Sequence, residues 1–356
     1  MSGISFYVGS YSVPSPWAGA PTAHGAGIVS AELDEGSGAV RLGPPCAEIN
    51  PSFLVRDKAA CVVWAITEPE TGGELVAFRE GANGALERIG RLRTGADAPC
   101  HLAIDHARRL AFVAHYHGGA VAALALDRLG RPEARDALVQ PPAIIRDRDR
   151  RSALARPHAS LVIGADRLLV ADTGRDSILL YRIGAAGGRG RLELLDALPL
   201  PAGTGPRHMA RAMSGDIYVS NQNAGGVSIV RGAEAERPRL ALHGSVSEKG
   251  LGRAAPVPSE IAIHPTADIC YLANRVDDSL SILNMDRRGA ACLSLGSIDV
   301  MGRNPRHFAL APGGNWLVAA NQDSDELTVF GVENEGCRLA WTCQRISVAT
   351  PTAIAF

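Results

Sequence analysis

Residues 304–330, NPRHFALAPGGNWLVAANQDSDELTVF, contain three short apolar runs separated by turn residues. The runs lie at 308–311, 316–320 and 327–330, and Pro, Gly, Asn, Gln, Asp and Ser fill the intervals between them. Short apolar runs bounded by such residues are typical of β-strands joined by tight turns. With a fourth strand predicted at 338–341, the stretch indicates a four-stranded antiparallel unit.

The same unit recurs along the whole chain. Each copy starts with a proline and two further residues before an aliphatic run, and successive prolines are 46 to 58 residues apart. The repeat-starting prolines are Pro51, Pro99, Pro157, Pro206, Pro258, Pro305 and Pro351. A period of about 50 residues with four strands per unit is typical of a β-propeller, whereas an immunoglobulin-like array needs about 100 residues per unit. The sequence therefore predicts an all-β, seven-bladed β-propeller.

The two ends of the chain are predicted to share one blade. The chain begins with a strand of the second type at 6–9 and ends with a strand of the first type at 352–356. Pairing of these two strands closes the ring and removes the sheet edges that would otherwise be exposed. We therefore expect a single domain that spans residues 1–356.

Composition and charge exclude several classes of function. The formal net charge of −1 at pH 7 predicts no general affinity for nucleic acid or for an anionic membrane. The N-terminus lacks the features of a signal peptide, and no apolar run approaches about 18 residues, so we expect a cytoplasmic protein. The seven cysteines are odd in number and contain no CxxC, which predicts buried, reduced thiols. Nothing in the sequence indicates an oligomeric state.

Three stretches interrupt the strand pattern. Residues 12–27 are rich in Gly, Pro and Ala and are predicted to form a long loop. Residues 140–156 form an irregular insert in which Arg and Asp alternate over 146–151, which predicts a solvated loop, and residues 244–257 form a second insert. Because both inserts precede a first strand, we expect them over the same face of the ring, where binding groups tend to lie.

Polar residues are concentrated at one corner of every repeat. Antiparallel pairing places the start of a first strand beside the end of the second strand, so seven corners should surround one end of the central channel. The strand starts hold Ser52, Phe53, Cys100, His101, His158, Ala159, Arg207, His208, Ser259, Glu260, Arg306, His307, Thr352 and Ala353. The strand ends hold Glu68, His115, Tyr116, Asp172, Asn221, Gln222, Asn274, Arg275, Asn321 and Gln322. Because arginine matches carboxylate and phosphate oxygens, we predict a small anionic or polyhydroxy ligand there.

Several of these motifs resemble those of one known family. NPSFL, PCHLAID, GTGPRHMA, PSEIAIHP, YLANRVDDSL and the stretch 304–330 are similar to the lactonase family of seven-bladed propellers. That family includes 6-phosphogluconolactonases and carboxymuconate-lactonizing enzymes, and the resemblance covers essentially the whole chain. It implies a small-molecule enzyme that acts on a lactone ring. No spacing of possible ligands indicates a metal site, and we predict neither a metal nor a cofactor.

The resemblance also implies a catalytic set of one histidine, two arginines and a carboxylate. By position in the motifs these are His158, Arg207, Arg306 and Glu260. The substrate-binding residues predicted around them are His101, His208, Gln222, Arg275 and His307. This chain departs from the family pattern at Gln222, where a glutamate is usual, and in RPHAS, where two close histidines are usual.

The leading hypothesis is hydrolysis of a sugar lactone to its aldonic acid, as in 6-phosphogluconolactonases. Glu260 or His158 would accept a proton from water, while Arg207 and Arg306 would bind the substrate and stabilise the oxyanion. GxSxG is absent, so no serine nucleophile is expected. The alternatives are a cycloisomerase of a muconate-type dicarboxylate and a non-catalytic propeller that binds a ligand or a protein.

Overall fold

The computed structural model describes residues 3–69, 71–141, 154–184, 189–246, 250–285 and 292–356. Within these ranges the chain forms seven four-stranded antiparallel sheets. The first strand of each blade is β4 (Pro51–Asp57), β8 (Pro99–Asp105), β12 (Pro157–Ile163), β16 (Pro206–Arg211), β20 (Pro258–Ile263), β24 (Pro305–Leu310) or β28 (Pro351–Ala355). The second strand is β5 (Val62–Thr67), β9 (Leu110–His115), β13 (Arg167–Asp172), β17 (Ile217–Asn221), β21 (Ile269–Asn274), β25 (Trp316–Asn321) or β1 (Gly3–Ser10).

The outer half of each blade follows the same order. The third strand is β6 (Glu74–Glu80), β10 (Ala120–Leu126), β14 (Ser177–Ile183), β18 (Val227–Arg231), β22 (Ser279–Met285), β26 (Glu326–Glu333) or β2 (Ile28–Asp34). The fourth is β7 (Leu86–Arg93), β11 (Pro132–Val139), β15 (Leu192–Pro199), β19 (Ala241–Val246), β23 (Cys292–Asp299), β27 (Arg338–Ser347) or β3 (Val40–Cys46). Single-turn 3-10 helices lie at Pro16–Ala18, Ala82–Gly84, Thr173–Arg175 and Gln322–Ser324. Among the described residues, no helix has the length and apolar character needed to cross a membrane.

The first strands form the inner wall of a closed ring. Each contacts the first strand of the next blade, in the order β4, β8, β12, β16, β20, β24, β28 and back to β4. Strand β28 pairs antiparallel with β1, with Ile354 opposite Val8, so the two termini share a blade. The seven-bladed fold, the four strands per blade and the shared terminal blade are therefore confirmed.

The hydrophobic core lies between adjacent blades. Second strands such as β5 (VVWAIT) are buried along their whole length, because each of their faces packs against a neighbouring sheet. Tyr7 and Ile28 of the terminal blade, for example, pack with Val63 and Phe78 of the next. Outermost strands such as β11 are largely exposed and rich in charge. A single blade could not bury both of its faces, so the ring is the unit that stabilises the fold.

The same backbone corner recurs in every blade. The residue after the second strand donates its N–H to the carbonyl of the residue before the repeat-starting proline, at 2.7 to 3.2 Å. The seven donor–acceptor pairs are Tyr11–Thr350, Glu68–Asn50, Tyr116–Ala98, Thr173–Arg156, Gln222–Gly205, Arg275–Val257 and Gln322–Asn304. In six of the seven corners the residue before the proline adopts left-handed backbone angles, as at Asn50 (φ 44°) and Asn304 (φ 53°). This corner holds the strand starts and strand ends together, as the repeat predicted.

Two details differ from the sequence-based expectations. Residues 244–246 of the second predicted insert belong to β19, while 247–249 and residues 142–153 of the first insert lie outside the described residues. Three of the seven cysteines are exposed rather than buried, namely Cys61, Cys337 and Cys343. Cys61 and Cys337 lie in turns, and Cys343 lies on outermost strand β27, which is largely open to solvent.

Candidate active site

A cavity of about 210 Å³, here called the mouth pocket, lies where the seven corners meet. It is lined by Trp17, Ala18, Gly19, Glu68, Cys100, Tyr116, His117, His158, Arg207, Gln222, Arg275 and Arg306. These residues come from the starts of first strands, from the residues that follow second strands, and from the loop 12–27. The pocket therefore brings together five of the nine predicted site residues: His158, Arg207, Gln222, Arg275 and Arg306.

A β-bulge places the residues at the strand starts. The pairing register shifts just after the proline in each first strand, for example between Pro157 and Ala159 and between Pro305 and His307. His158 and Arg306 are the residues skipped by these two shifts. A bulge bends the strand locally and redirects a side chain. Each proline-initiated first strand therefore has a bulge at the corner. The side chain at this bulge does not follow the alternation of side chains between the two faces of the sheet.

Arg207 is held by the two neighbouring side chains of the pocket. Its Nη1 donates to Gln222 Oε1 at 2.6 Å and to His158 Nε2 at 2.7 Å. Because a guanidinium can only donate, His158 Nε2 must accept, and the imidazole proton resides on Nδ1. Burial and the charge of Arg207 hold the pKa of His158 well below its usual range, so the ring is neutral. Burial, reinforced by the charge of Arg306, lowers the pKa of Arg207 to about 10.

Arg306 and Arg275 complete a group of three cations. Arg306 donates to Tyr11 Oη at 2.7 Å and to the Ala18 carbonyl at 3.1 Å. Arg275 donates through Nε to Asn304 Oδ1 at 2.7 Å. Burial, together with the like charges of Arg306 and Arg207, lowers the pKa of Arg275 to about 9. Three guanidinium groups around one small cavity favour an anionic ligand.

The other four predicted site residues form a separate group, here called the histidine cluster. It consists of His101, His208, His307 and Glu260, none of which is among the described residues that line the mouth pocket. Glu260 Oε2 is 2.9 Å from His208 Nδ1 and 3.0 Å from His307 Nε2. Burial alone would raise the pKa of Glu260, but the two facing histidines hold it well below its usual range. Glu260 is therefore an ionised carboxylate whose Oε2 already has two partners.

The histidine cluster is also packed as an aromatic group. His208 lies 5.2 Å from His101 and 5.3 Å from His158 between ring centroids, and Phe53 lies 4.3 Å from His101. Burial holds the pKa of His101 well below its usual range. Across the described residues, no group of three or more His, Cys, Asp or Glu has the geometry to hold a metal ion.

Tyr11 and Glu68 belong to the site but were not assigned a role from the sequence. Tyr11 Oη donates to Glu68 Oε2 at 2.8 Å, and both side chains are buried. Each directly follows a second strand, as do Gln222 and Arg275. The sequence therefore offered a signal for both residues, because the position directly after each second strand lies at the site. This signal applies to Tyr11 as well, although its repeat is split between the two termini.

Comparison with known proteins shows a family match over almost the whole chain. Residues 5–356 match the family described as "Lactonase, 7-bladed beta-propeller". A 6-phosphogluconolactonase of Formosa agariphila is 25% identical, with 96% of each chain covered. A 6-phosphogluconolactonase of Bacillus subtilis is 23% identical over 93% of this chain and 94% of the relative.

Solved structures show the same architecture. A periplasmic gluconolactonase of Pseudomonas aeruginosa superimposes with a TM-score of 0.86 at 24% identity, covering 99% of this chain and 98% of that one. A putative 6-phosphogluconolactonase of Bacteroides fragilis also gives a TM-score of 0.86, at 20% identity, over 99% and 97% of the two chains. The repeats, the ring and the family match lead to one conclusion: this chain belongs to the lactonase family of seven-bladed β-propellers.

Proposed function

We propose that this protein hydrolyses a sugar lactone that carries an anionic group, and that the mouth pocket is its active site. The observation that carries the proposal is the convergence of Arg207, Arg275 and Arg306 on one small cavity. The family and the 6-phosphogluconolactonase relatives support the lactone ring as the reacting group. The three cations support a phosphate or carboxylate as the group that orients it.

The arrangement favours stabilisation of the tetrahedral intermediate by arginine. Water adds to the lactone carbonyl, and the carbonyl oxygen acquires the negative charge that Arg207 and Arg306 are placed to receive. Preorganised donors in a buried pocket are usually the largest single contribution to such catalysis. His158 keeps the Nη1 of Arg207 in place, because its neutral ring accepts a hydrogen bond at 2.7 Å.

The two bases expected from the sequence are less well suited to activate water. The Nε2 lone pair of His158 already accepts a hydrogen bond from Arg207, and its lowered pKa makes it a weak base. Glu260 is bound by His208 and His307 and lies outside the mouth pocket. We assign the histidine cluster a supporting role beneath the reacting groups.

The test is a screen of the purified protein against aldonolactones with and without a phosphate group. The rate of acid release is measured, and the rate of spontaneous hydrolysis is subtracted from it. Hydrolysis with a preference for the anionic lactones is expected, and Arg275→Met should lose that preference. The control is Arg41→Met, because Arg41 is an exposed residue of outermost strand β3. Turnover of an unsaturated dicarboxylate without lactone hydrolysis would instead establish a cycloisomerase, and binding without turnover a non-catalytic propeller.

We also propose that the protein is cytoplasmic and that its ligands are small molecules only. The net charge of −1 supports neither nucleic acid nor an anionic membrane as a partner. The similar gluconolactonase of Pseudomonas aeruginosa is periplasmic, so the fold alone does not restrict a protein to the cytoplasm. Fractionation of the native host with an antibody against this chain tests the location directly.

A further inference from the structure

Glu68 is the one carboxylate among the described residues that line the mouth pocket. It follows β5, and its side chain is buried. Its backbone is fixed at the blade corner, where its N–H donates to the Asn50 carbonyl at 3.0 Å. A side-chain amide of Asn50 donates to the Glu68 carbonyl at 3.3 Å. The carboxyl group therefore enters the pocket from a backbone that is held on both its donor and its acceptor side.

Tyr11 fixes the orientation of that carboxyl group. Arg306 Nη2 donates to Tyr11 Oη at 2.7 Å, and Tyr11 Oη lies 2.8 Å from Glu68 Oε2. A guanidinium cannot accept, so the single phenolic proton is available for Glu68. Burial raises the pKa of Tyr11 above its ordinary value, so the phenol remains a donor. The guanidinium of Arg306 also lies 5.0 Å from the centre of the Tyr11 ring.

The electrostatics of Glu68 differ from those of every other candidate base. Burial raises the pKa of Glu68, although the charge of Arg306 and the hydrogen bond from Tyr11 oppose that shift. A carboxylate with a raised pKa accepts a proton from water more readily than an ordinary carboxylate does. Gln222, at the equivalent corner of another blade, is an amide and cannot act as a base.

We propose that Glu68 is the general base of the mouth pocket and that Tyr11 is its positioning residue, an inference that rests on the proposed lactone hydrolysis. Glu68 takes one proton from water as the water oxygen bonds to the lactone carbonyl carbon. When the tetrahedral oxyanion collapses, the bond between this carbon and the ring oxygen breaks. Glu68 then returns its proton to the departing ring oxygen. The product is a hydroxy acid, whose carboxyl proton is released to solvent.

The experiment measures kcat and kcat/KM against pH for the wild-type protein and for Glu68→Gln, Tyr11→Phe and Glu74→Gln. Glu68→Gln should lower kcat by about 10²–10⁴-fold and abolish the acidic limb of the profile. Tyr11→Phe removes a hydrogen bond that favours the ionised carboxylate, so its acidic limb should move to higher pH. Glu74→Gln is the matched control, because Glu74 pairs with Arg91 outside the mouth pocket and should leave both kinetic parameters unchanged.

The outcomes distinguish a failure of this inference from a failure of the proposed function. An active wild-type protein whose Glu68→Gln variant retains kcat and the acidic limb overturns the role of Glu68 and leaves lactone hydrolysis standing. A wild-type protein without lactonase activity overturns the proposed function and the base together. If Glu68→Gln does not fold, an unshifted limb in Tyr11→Phe refutes the proposal and an upward shift supports it. Infrared titration of the protonated-carboxyl band in Tyr11→Phe and the wild type reports the same shift without turnover.

Discussion

Replacing Gln222 with glutamate would add one negative charge at a defined contact of the mouth pocket. Gln222 Oε1 accepts a hydrogen bond from Arg207 Nη1 at 2.6 Å. Glutamate has nearly the same shape and would accept the same bond as a carboxylate, and Arg207 would hold that carboxylate ionised. Because the charge of Arg207 would then be neutralised by the protein, Gln222→Glu should bind anionic ligands more weakly than the wild type.

The size of this effect follows from the dimensions of the pocket. In a cavity of about 210 Å³, a ligand anion would lie roughly 6–8 Å from a carboxylate at position 222. Two like charges at that separation repel by roughly 2–3 kcal/mol at an effective dielectric constant near 20. Affinity for the anion should therefore fall by roughly 30–100-fold.

The assay is calorimetric titration of a phosphorylated aldonic acid, the product of the proposed reaction, into the wild type, Gln222→Glu and Gln222→Met. The methionine variant loses the hydrogen-bond acceptor without adding charge, so it separates the two causes. The weakening in Gln222→Glu should diminish with added salt, because salt screens the repulsion. Undiminished affinity in Gln222→Glu would show that the anion does not lie near Arg207.

The same variant also tests where the base lies. With Glu68 as the base, Gln222→Glu gains no turnover, because proton transfer from water is already supplied. A rise in kcat in Gln222→Glu would return the base role to position 222 and remove it from Glu68.

Two further predictions follow from the contacts of single residues. Arg306→Lys should lower both kcat/KM and Tm, because Nη1 of Arg306 reaches Ala18 and Gln322 while Nη2 reaches Tyr11, and the single nitrogen of lysine cannot occupy both places; unchanged kinetics would exclude Arg306 from the site. His115→Gln should reduce the loss of stability in acid, measured by urea unfolding at several pH values. Burial lowers the pKa of His115 to about 4, so the unfolded chain binds the extra proton and stability falls as pH drops from about 6.5 to about 4. This one group accounts for about 3 kcal/mol of that loss, and an identical pH dependence in the variant would refute its contribution.

The repeat allowed the fold to be predicted from the sequence. Prolines at a regular period, apolar runs and polar turns are local features, and each blade contains a complete copy of them. The split terminal blade was predictable as well, because the missing first strand of the first repeat reappears at 351–355. Antiparallel pairing then placed the strand starts and strand ends at one corner, which identified the rim where the candidate site lies.

Only the tertiary structure decided which of those corner residues share a pocket. Neighbouring residues of one first strand, such as Arg207 and His208, belong to the mouth pocket and the histidine cluster respectively. The bulge after the proline sets these directions, and the sequence pattern of apolar and polar residues does not reveal it. For that reason Glu260 was predicted beside the arginines but lies with His208 and His307.

The contacts that orient Glu68 could not be predicted from the sequence either. Arg306 and Tyr11 are separated by 295 residues, and Tyr11 and Glu68 by 57. They meet because closure of the ring brings the first blade next to the last, and the loop 12–27 then places the Ala18 carbonyl against Arg306. The sequence by itself determined the ring and its polar rim through short-range strand and turn chemistry. The shape and charge of the site arise from side chains of different blades, whose contacts exist only after the ring has closed.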